Sequence, residues 1–504
     1  MTTKQLDFDA CYVAVSARDA RFDGRFYTAV TSTGIYCRPI CPARTPARKN
    51  VRFYRHAATA EAAGFRPCRR CRPELSPGDP GWDVRADLVG RALRLIDDGL
   101  ADERGVAGLA QRLHVTERHL LRLFVAELGT GPLAVARTRR LLLAKQLLTE
   151  TPLPITDVAF AAGFGSVRQF NAAMKESYGF APGELRKAAG PPASSRTAPA
   201  ITTGLTLRLT YRRPYDAQTV LGFLAARAIP GVETATWSAP ADGGAAQVTG
   251  FSRAVPGGRI TLTPADDHIR LTVRTGDTRH LARIVARCRR LLDLDADPGA
   301  ITAILGSTDL APLVGEHPGL RVPGAFDGFE LAVRAVVGQQ ISVAGARTLL
   351  GRIVARAGSP AVPDTGPGTV ADAVPGTVPD AEPALLFPTA DRLADADLTG
   401  LGLTNRGIAT LKSLARAVID EDVDLDGAED PADTVARLLE IPGIGPWTTG
   451  YIALRALGDP DAWPEGDLGL TRAMTRLRIP AGQIERWRPW RAYAAVHLWN
   501  ADAA

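Results

Sequence analysis

The chain has 504 residues, 45% of them hydrophobic and 23% charged, and only six cysteines. That length exceeds one ordinary domain and that apolar fraction builds real cores, which excludes a disordered chain and a small disulfide scaffold. The net charge of +6 is uneven, with +8 in residues 1–76, +2 in 77–190 and −4 in the remainder, so the positive field at the N-terminal end suits a polyanion, most simply nucleic acid, although charge alone equally fits a solvated basic face.

The start, MTTKQLDFDACYVAV, lacks a signal-peptide pattern, and no apolar run is long enough for a bilayer. A cytoplasmic protein with no membrane partner is expected, and there clustered cysteines bind metal or react more often than they form disulfides. Residues 1–76 hold four of the six cysteines in a basic segment: Cys37 and Cys41, then 26 residues, then Cys68 and Cys71. Four thiolates make a complete tetrahedral set for one Zn²⁺, and the spacing alone fits a structural zinc site. Arg38, Arg44, Arg66, Arg69 and Arg70 are candidate phosphate contacts or plain exposed charge. Cys11 and Cys288 stand alone and read as buried small hydrophobes.

The words GIYCRPIC and GFRPCRRCRPE, with RDARFDGRFYTAVTSTG before them, closely resemble the N-terminal zinc domain of the bacterial Ada family over residues 7–75. The resemblance implies that Cys37 is both ligand and nucleophile. It would take a methyl group irreversibly from a DNA methylphosphotriester, with Cys41, Cys68 and Cys71 as the other ligands. Arg44 matches a DNA-contacting position of that family. Zinc keeps a thiol deprotonated at neutral pH. Methylation moves a site of charge −2 one unit toward positive, so its repulsion from phosphate falls and DNA binding tightens.

Residues 82–188 read as helical. VAGLAQRLHVTERHLLRLFVAEL (106–128) breaks at His114-Val115, with Thr116 as N-cap. ITDVAFAAGFGSVRQFNAAMKESYG (155–179) repeats the design, breaking at Gly163-Phe164-Gly165 with Ser166 as cap. One such pattern is weak, since any short helical hairpin imitates it; two in tandem resemble the AraC-type DNA-binding domain. The second helix of each unit would enter a major groove, presenting Arg118, His119 and Arg122, then Arg168, Gln169 and Lys175. Behind the zinc segment this looks like the regulatory half of an Ada protein, which implies promoter DNA and RNA polymerase as partners. The Pro-Cys-His-Arg motif of Ada's second acceptor domain is absent, so repair of O6-alkylguanine is not expected.

Residues 189–203 read as a linker, and 204–300 mix strand patterns (LTLRLTY, RITLTP, HIRLTV) with helical ones. Residues 301–504 are mostly helical, with 357–384 a disordered insertion rich in Pro, Gly and Asp. In LLEIPGIGPWTTGYIALRAL (438–457), Gly443 and Gly445 let the backbone approach a ligand closely, and Pro446 opens a helix. This is the helix-hairpin-helix pattern, which by itself means non-specific DNA binding or a tight turn between packed helices.

Asp467 just before a new helix, together with FELAVRAVVGQQISVAGART (329–348) and WRPWRAYAAVHLWN (487–500), resembles the helix-hairpin-helix DNA glycosylases, and among them the AlkA type over 204–504. That resemblance implies a 3-methyladenine glycosylase with Asp467 catalytic. Trp447, Tyr451, Trp499, Gln339 and Gln340 would be substrate-binding, and a monovalent cation would sit at the hairpin turn. Trp447 stands where bifunctional relatives carry a Schiff-base lysine, so no strand-cutting step is expected. Gly466 replaces an Asp of the AlkA type. Gln340 aligns with its apolar wedge, with Ile341 as a substitute.

The expected architecture is therefore multidomain α+β: a small zinc-bound α/β domain, an all-α double helix-turn-helix domain, and an AlkA-like mixed α/β subdomain followed by a helix-hairpin-helix glycosylase domain. The implied protein is a bacterial, nucleoid-associated sensor-activator fused to a glycosylase. The alternatives are a pure transcription regulator whose second half is catalytically inactive, and a glycosylase that uses the other domains as DNA clamps.

Overall fold

The structure, a computed structural model, describes residues 6–19, 22–76, 88–189, 204–238, 246–362 and 382–503. Residues 82–87 of the expected helical block, most of the expected linker (190–203) and the centre of the expected insertion (363–381) lie outside the described residues. The ends of that expected insertion are ordered, a correction to its bounds: Ala357 ends a helix, and Ser359–Pro360 pairs antiparallel with Leu385–Leu386, main-chain bonds that a disordered segment would not make. The chain divides into two compact units. One is built on Met1–Arg213 with Asp277–Arg289 and Leu294–Asp297; the other is built on Pro214–Gly276, Arg290–Asp293 and Pro298–Ala504.

In the first unit, α1 (Phe8–Ser16) precedes a four-stranded sheet of order β3-β1-β2-β4. Its strands are β1 (Tyr27–Val30), β2 (Ile35–Cys37), β3 (Val51–Tyr54) and β4 (Arg66–Pro67). Aromatic and β-branched residues suit a half-buried pleated surface, and here Tyr27, Ala29, Tyr36 and Phe65 pack with Ala57 and Ala60 of α2 (Ala57–Ala62). A core of a few aromatics and alanines is small for independent stability, which is where a metal cross-link contributes most.

Among the described residues up to 189, the helices that follow are α3 (Leu88–Asp97), α4 (Leu100–Arg112), α5 (Glu117–Leu128), α6 (Pro132–Glu150), α7 (Ile155–Ala161), α8 (Val167–Tyr178) and α9 (Pro182–Ala189). The two helix-turn-helix units close in the same way. Val115 N–H donates to Ala110 O and Phe164 N–H to Ala159 O, both at 3.0 Å. Thr116 and Ser166 cap α5 and α8, accepting from His119 N–H and Gln169 N–H. The second turn needs glycine at 163: φ is +91°, and a Cβ would lie 2.6 Å from Asp102 Oδ2. β5 (Leu205–Thr210) runs beside α6, with Gln146 Nε2 donating to Arg208 O at 3.1 Å.

In the second unit, α10 (Ala217–Ala226) packs on an antiparallel meander of order β9-β8-β7-β6. The strands are β6 (Glu233–Ser238), β7 (Gln247–Val255), β8 (Gly258–Pro264) and β9 (His268–Thr275). Of the helices that follow, α11 (Gly328–Val337) is apolar on almost every side, and Leu331, Ala332, Val333, Ala335, Val336 and Val337 are all buried. A helix apolar all round belongs in the centre of a core. Packed on it are α12 (Asn405–Ile419) and α14 (Pro446–Ile452), the latter preceded by α13 (Pro431–Glu440). A π turn over Ala453–Leu457 extends α14, and α15 (Leu468–Arg476) and α16 (Arg491–Ala503) complete the set used by the site.

Candidate functional sites in the two units

In the first unit the sheet assembles the cysteines. β2 and β4 pair in parallel, Ile35 with Arg66 and Tyr36 with Pro67. The next residues along are Cys37 and Cys68, so this register delivers both thiols to one end of the sheet. Cys68 N–H donates to Tyr36 O at 2.9 Å, and a turn closed by Cys41 N–H to Arg38 O at 3.1 Å folds Cys41 back. Cys71 Sγ accepts Arg38 N–H at 3.3 Å. The four sulfurs lie within 4.8 Å of one another. A tetrahedral tetrathiolate with Zn–S bonds of about 2.3 Å needs about 3.8 Å between sulfurs, so the donor set fits that ion. Hydrogen bonding among the four sulfurs splits them, holding the Cys41 and Cys68 thiols below the ordinary value and Cys37 and Cys71 above it. Cys68 and Cys71 are buried, while Cys37 and Cys41 form the more accessible edge.

The five arginines around this cluster separate by their partners. Arg38 is buried, its guanidinium ion-paired with Asp23 and donating to Cys71 O. It is spent on the fold, a correction to its expectation as a phosphate contact. Arg66 Nη1 donates to Tyr178 O at 3.3 Å, and Arg69 stacks on Phe180 with its Cζ 3.9 Å from the ring centroid. Arg44 and Arg70 are exposed.

Those contacts belong to a seam between the sheet and the helix-turn-helix tandem. Thr59 Oγ1 donates to Leu128 O, and Arg66 donates to Tyr178 O. These carbonyls end α5 and α8, where a helix leaves its last acceptors open. The corresponding ends of both second helices are thus held by the cysteine-bearing segment. Lys145 of α6 is buried, with Nζ 3.1 Å from Cys68 O and 2.7 Å from Glu74 Oε2. Glu61 accepts from both Tyr36 and Thr138 of α6, and burial raises its carboxyl above the ordinary value. Elsewhere on α5 and α8, Arg118, Arg122, Arg168, Gln169 and Lys175 are exposed; Gln169 also accepts Gly165 N–H through Oε1.

The second unit assembles an aromatic pocket around one carboxylate. Asp467 caps α15, its Oδ1 accepting Leu470 N–H at 2.9 Å. The same oxygen accepts Trp499 Nε1–H at 3.0 Å, and Oδ2 accepts Trp447 Nε1–H at 2.8 Å. All three partners are donors, the set an ionised carboxylate takes. Tyr451 stacks on Trp447, centroids 5.6 Å apart and planes 20° apart, and lies 5.9 Å from Trp499. The four residues come from α14, the cap of α15, and α16, and each is only half-buried, which leaves the pocket open on one side.

The hairpin turn lies one helix turn before Trp447. Gly443 has φ +94°, and a Cβ there would lie 2.1 Å from Thr410 Oγ1. Gly445 is extended and caps α14. Gln339 Nε2 donates to Gly443 O at 3.0 Å and Thr448 Oγ1 at 2.8 Å, so this amide braces the turn. Gln340 has a left-handed backbone, φ +59°, and is exposed next to Ile341, which is 42% exposed.

Two members of the pocket escaped the sequence reading. Phe223 of α10 lies beneath Arg227 and Arg455, whose Cζ atoms are 3.6 and 4.9 Å from its ring centroid. Arg455 is buried and donates to Tyr451 OH at 2.8 Å. A single arginine within the apolar run YIALRAL was the available signal for the second, because a charge there needs designated partners; nothing local marks Phe223. Among the described residues, no helix is long and apolar enough to cross a membrane.

Residues 10–74 match the metal binding domain of Ada, 109–188 a helix-turn-helix domain, and 206–327 the AlkA N-terminal domain. The chain is 45% identical over 501 residues to the probable bifunctional transcriptional activator/DNA repair enzyme AlkA of Mycobacterium tuberculosis, covering 98% of this chain and 96% of that protein. It is 33% identical to DNA-3-methyladenine glycosylase 2 of Escherichia coli, over 58% of this chain and 96% of that protein. It is 35% identical to the bifunctional transcriptional activator/DNA repair enzyme Ada of Escherichia coli, over 35% of this chain and 49% of that protein.

Proposed function

This chain belongs to the AlkA family of bifunctional transcriptional activator/DNA repair enzymes, and from that premise we propose which residues carry its two chemistries. The glycosylase reaction is assigned to Asp467. The observation that carries this is the three-donor grip on its carboxylate beside three aromatic rings. An extruded base enters between Trp447, Tyr451, Trp499 and Phe223. Ring faces attract the positive charge of an N-alkylated purine such as 3-methyladenine. The N-glycosidic bond breaks and the base keeps the electron pair. The carboxylate stabilises the positive charge left on the sugar, and water adds to C1′ with loss of a proton. Trp447 offers no amine for a Schiff base, so the product is an abasic site and the strand stays intact. The exposed Gln340 and Ile341 would fill the gap left by the flipped base, and Gly443 and Gly445 would let the hairpin backbone approach DNA phosphates. A monovalent cation, if bound, would be held by main-chain carbonyls of the 442–445 turn and would supply a positive charge for a DNA phosphate, while Thr410 and Gln339 brace that turn by donating to Pro442 O and Gly443 O.

The test is base release from methylated duplex, measured by chromatography. The wild type should release 3-methyladenine. Asp467→Asn keeps the helix cap but offers one acceptor to the two indoles, and should release none at the same protein concentration. Equal release by both would remove Asp467 from the mechanism and favour another base for the water.

The second chemistry is methyl transfer to Cys37 on zinc held by Cys37, Cys41, Cys68 and Cys71. When bound, zinc keeps all four sulfurs as thiolates. Cys37 Sγ attacks the methyl carbon of a phosphotriester, the S–C bond forms, the C–O bond breaks, and the phosphodiester leaves with its electron pair. The cluster moves from −2 to −1 and the phosphate gains its charge. The loss of repulsion strengthens DNA binding by the exposed faces of α5 and α8, and activation then requires contact with RNA polymerase at the promoter.

A further inference from the structure

Buried charge in a pocket for cationic bases needs a reason, because a permanent cation repels the ligand the rings attract. Arg455 sits in the π turn that extends α14, four residues after Tyr451. π turns are uncommon and recur at functional sites. The residue is 6% exposed, and each of its three guanidinium nitrogens donates to a partner. Nε donates to Pro323 O at 2.7 Å, Nη2 to Gly324 O at 2.9 Å, and Nη1 to Tyr451 OH at 2.8 Å. Its Cζ also lies 4.9 Å from the Phe223 centroid and 5.5 Å from that of Tyr451.

The contacts form a chain that ends on the reacting carboxylate. The 323–324 backbone holds Arg455, Arg455 holds the Tyr451 hydroxyl, Tyr451 stacks on Trp447, and the Trp447 indole donates to Asp467. We propose that Arg455 is a positioning residue of the base pocket, fixing the Tyr451 ring against Trp447 and, through Trp447, the Asp467 carboxylate. The inference rests on Asp467 as the catalytic group. A hydrogen bond from a buried guanidinium to a phenol oxygen also polarises the O–H and turns its proton away from the arginine. Burial alone would push the Tyr451 hydroxyl up, but the Arg455 and Arg227 guanidiniums overcome it and leave it below the ordinary tyrosine value.

A purely structural arginine would act on stability and on all pocket residues alike, whereas a positioning residue acts through one hydroxyl. The discriminating experiment is a double-mutant cycle on single-turnover base release, using the full chain and methylated duplex. Arg455→Met should slow release about 30-fold and Tyr451→Phe about tenfold. The double variant should be no slower than Arg455→Met by more than about twofold, where independent effects would give about 300-fold. In ultraviolet difference spectra, the tyrosinate signal lost in Tyr451→Phe should titrate at higher pH in Arg455→Met. Arg455→Lys, which keeps a cation beside the hydroxyl, should recover most of the lost rate; Arg455→Gln, which keeps a polar side chain but no charge, replaces the Met variant in the cycle if that one fails to fold. Multiplicative losses in the double variant overturn the proposal, as does an unmoved Tyr451 titration or a Lys variant that folds but recovers none of the rate. Release by Asp467→Asn equal to wild type would instead overturn the assignment of Asp467 and would leave the coupling between Arg455 and Tyr451 as measured.

Discussion

The thiolate cluster draws its four ligands from residues 37–71, while the aromatic pocket draws Phe223, Trp447, Asp467 and Trp499 from helices spread along most of the second unit. The cluster stands at the end of a short sheet over a small core. The pocket stands on helices packed around the largely buried α11. The difference teaches where rigidity comes from. In the cluster the metal itself must cross-link the loops, and the neighbouring helix α6 braces it through Lys145. In the pocket ordinary core packing holds the side chains, and hydrogen bonds trim their angles.

Metal removal separates the two most sharply. Structural zinc contributes on the order of 10 kcal/mol to a small domain, so chelation should abolish methyl uptake and melt the 6–76 segment. Base release should stay within about twofold, because no pocket residue depends on the cluster for its position. Concurrent loss of both activities would break the comparison. Second in size is Asp467→Asn, expected to slow base release about a thousandfold, or about 4 kcal/mol, while specific promoter binding is retained in a gel-shift assay.

Acid should weaken the second unit by about 3 kcal/mol through His497. Burial first, then His317, pushes this histidine down to about 4. The unfolded chain, with an ordinary value near 6.5, therefore binds the extra proton between those two pH values. The stability is fully present above pH 6.5 and is lost as pH falls toward 4. Six of the seven tryptophans lie at or beyond residue 237, so tryptophan fluorescence in urea reports this unit. His497→Phe should flatten the pH dependence in that interval.

The two smallest effects are matched, one in each unit. Lys145→Met should cost about 2 kcal/mol, since Glu74 keeps Arg72 as a partner. It should also raise hydrogen exchange in α6 while leaving base release unchanged. Gly443→Ala should cost about 2 kcal/mol by forcing a side chain into a left-handed backbone against Thr410, and it should weaken binding to undamaged duplex while leaving methyl uptake unchanged.

Legibility followed the same divide. The cysteine words, the Thr116 and Ser166 caps, and the glycine turn at 443–445 are local signals, and the structure shows a cluster, two caps and a tight turn there. Asp467 was readable as a residue opening a helix, which it caps. The parallel register of β2 with β4, the docking of Thr59 and Arg66 on two helix ends, and the burial of Arg38 were not readable. Each depends on partners 15 to 112 residues away. Phe223 was invisible for the same reason, because an aromatic on an apolar helix looks like core until the facing helix is known.

The central claim is that one chain carries two separable chemistries, one at Cys37 and one at Asp467. A single methylated duplex can be treated with the wild type, Cys37→Ser and Asp467→Asn, and each sample scored for methyl groups on the protein and for free 3-methyladenine. The wild type should give both, Cys37→Ser free base only, and Asp467→Asn protein methylation only. A Cys37→Ser chain that no longer releases base, or an Asp467→Asn chain that still does, would contradict the account.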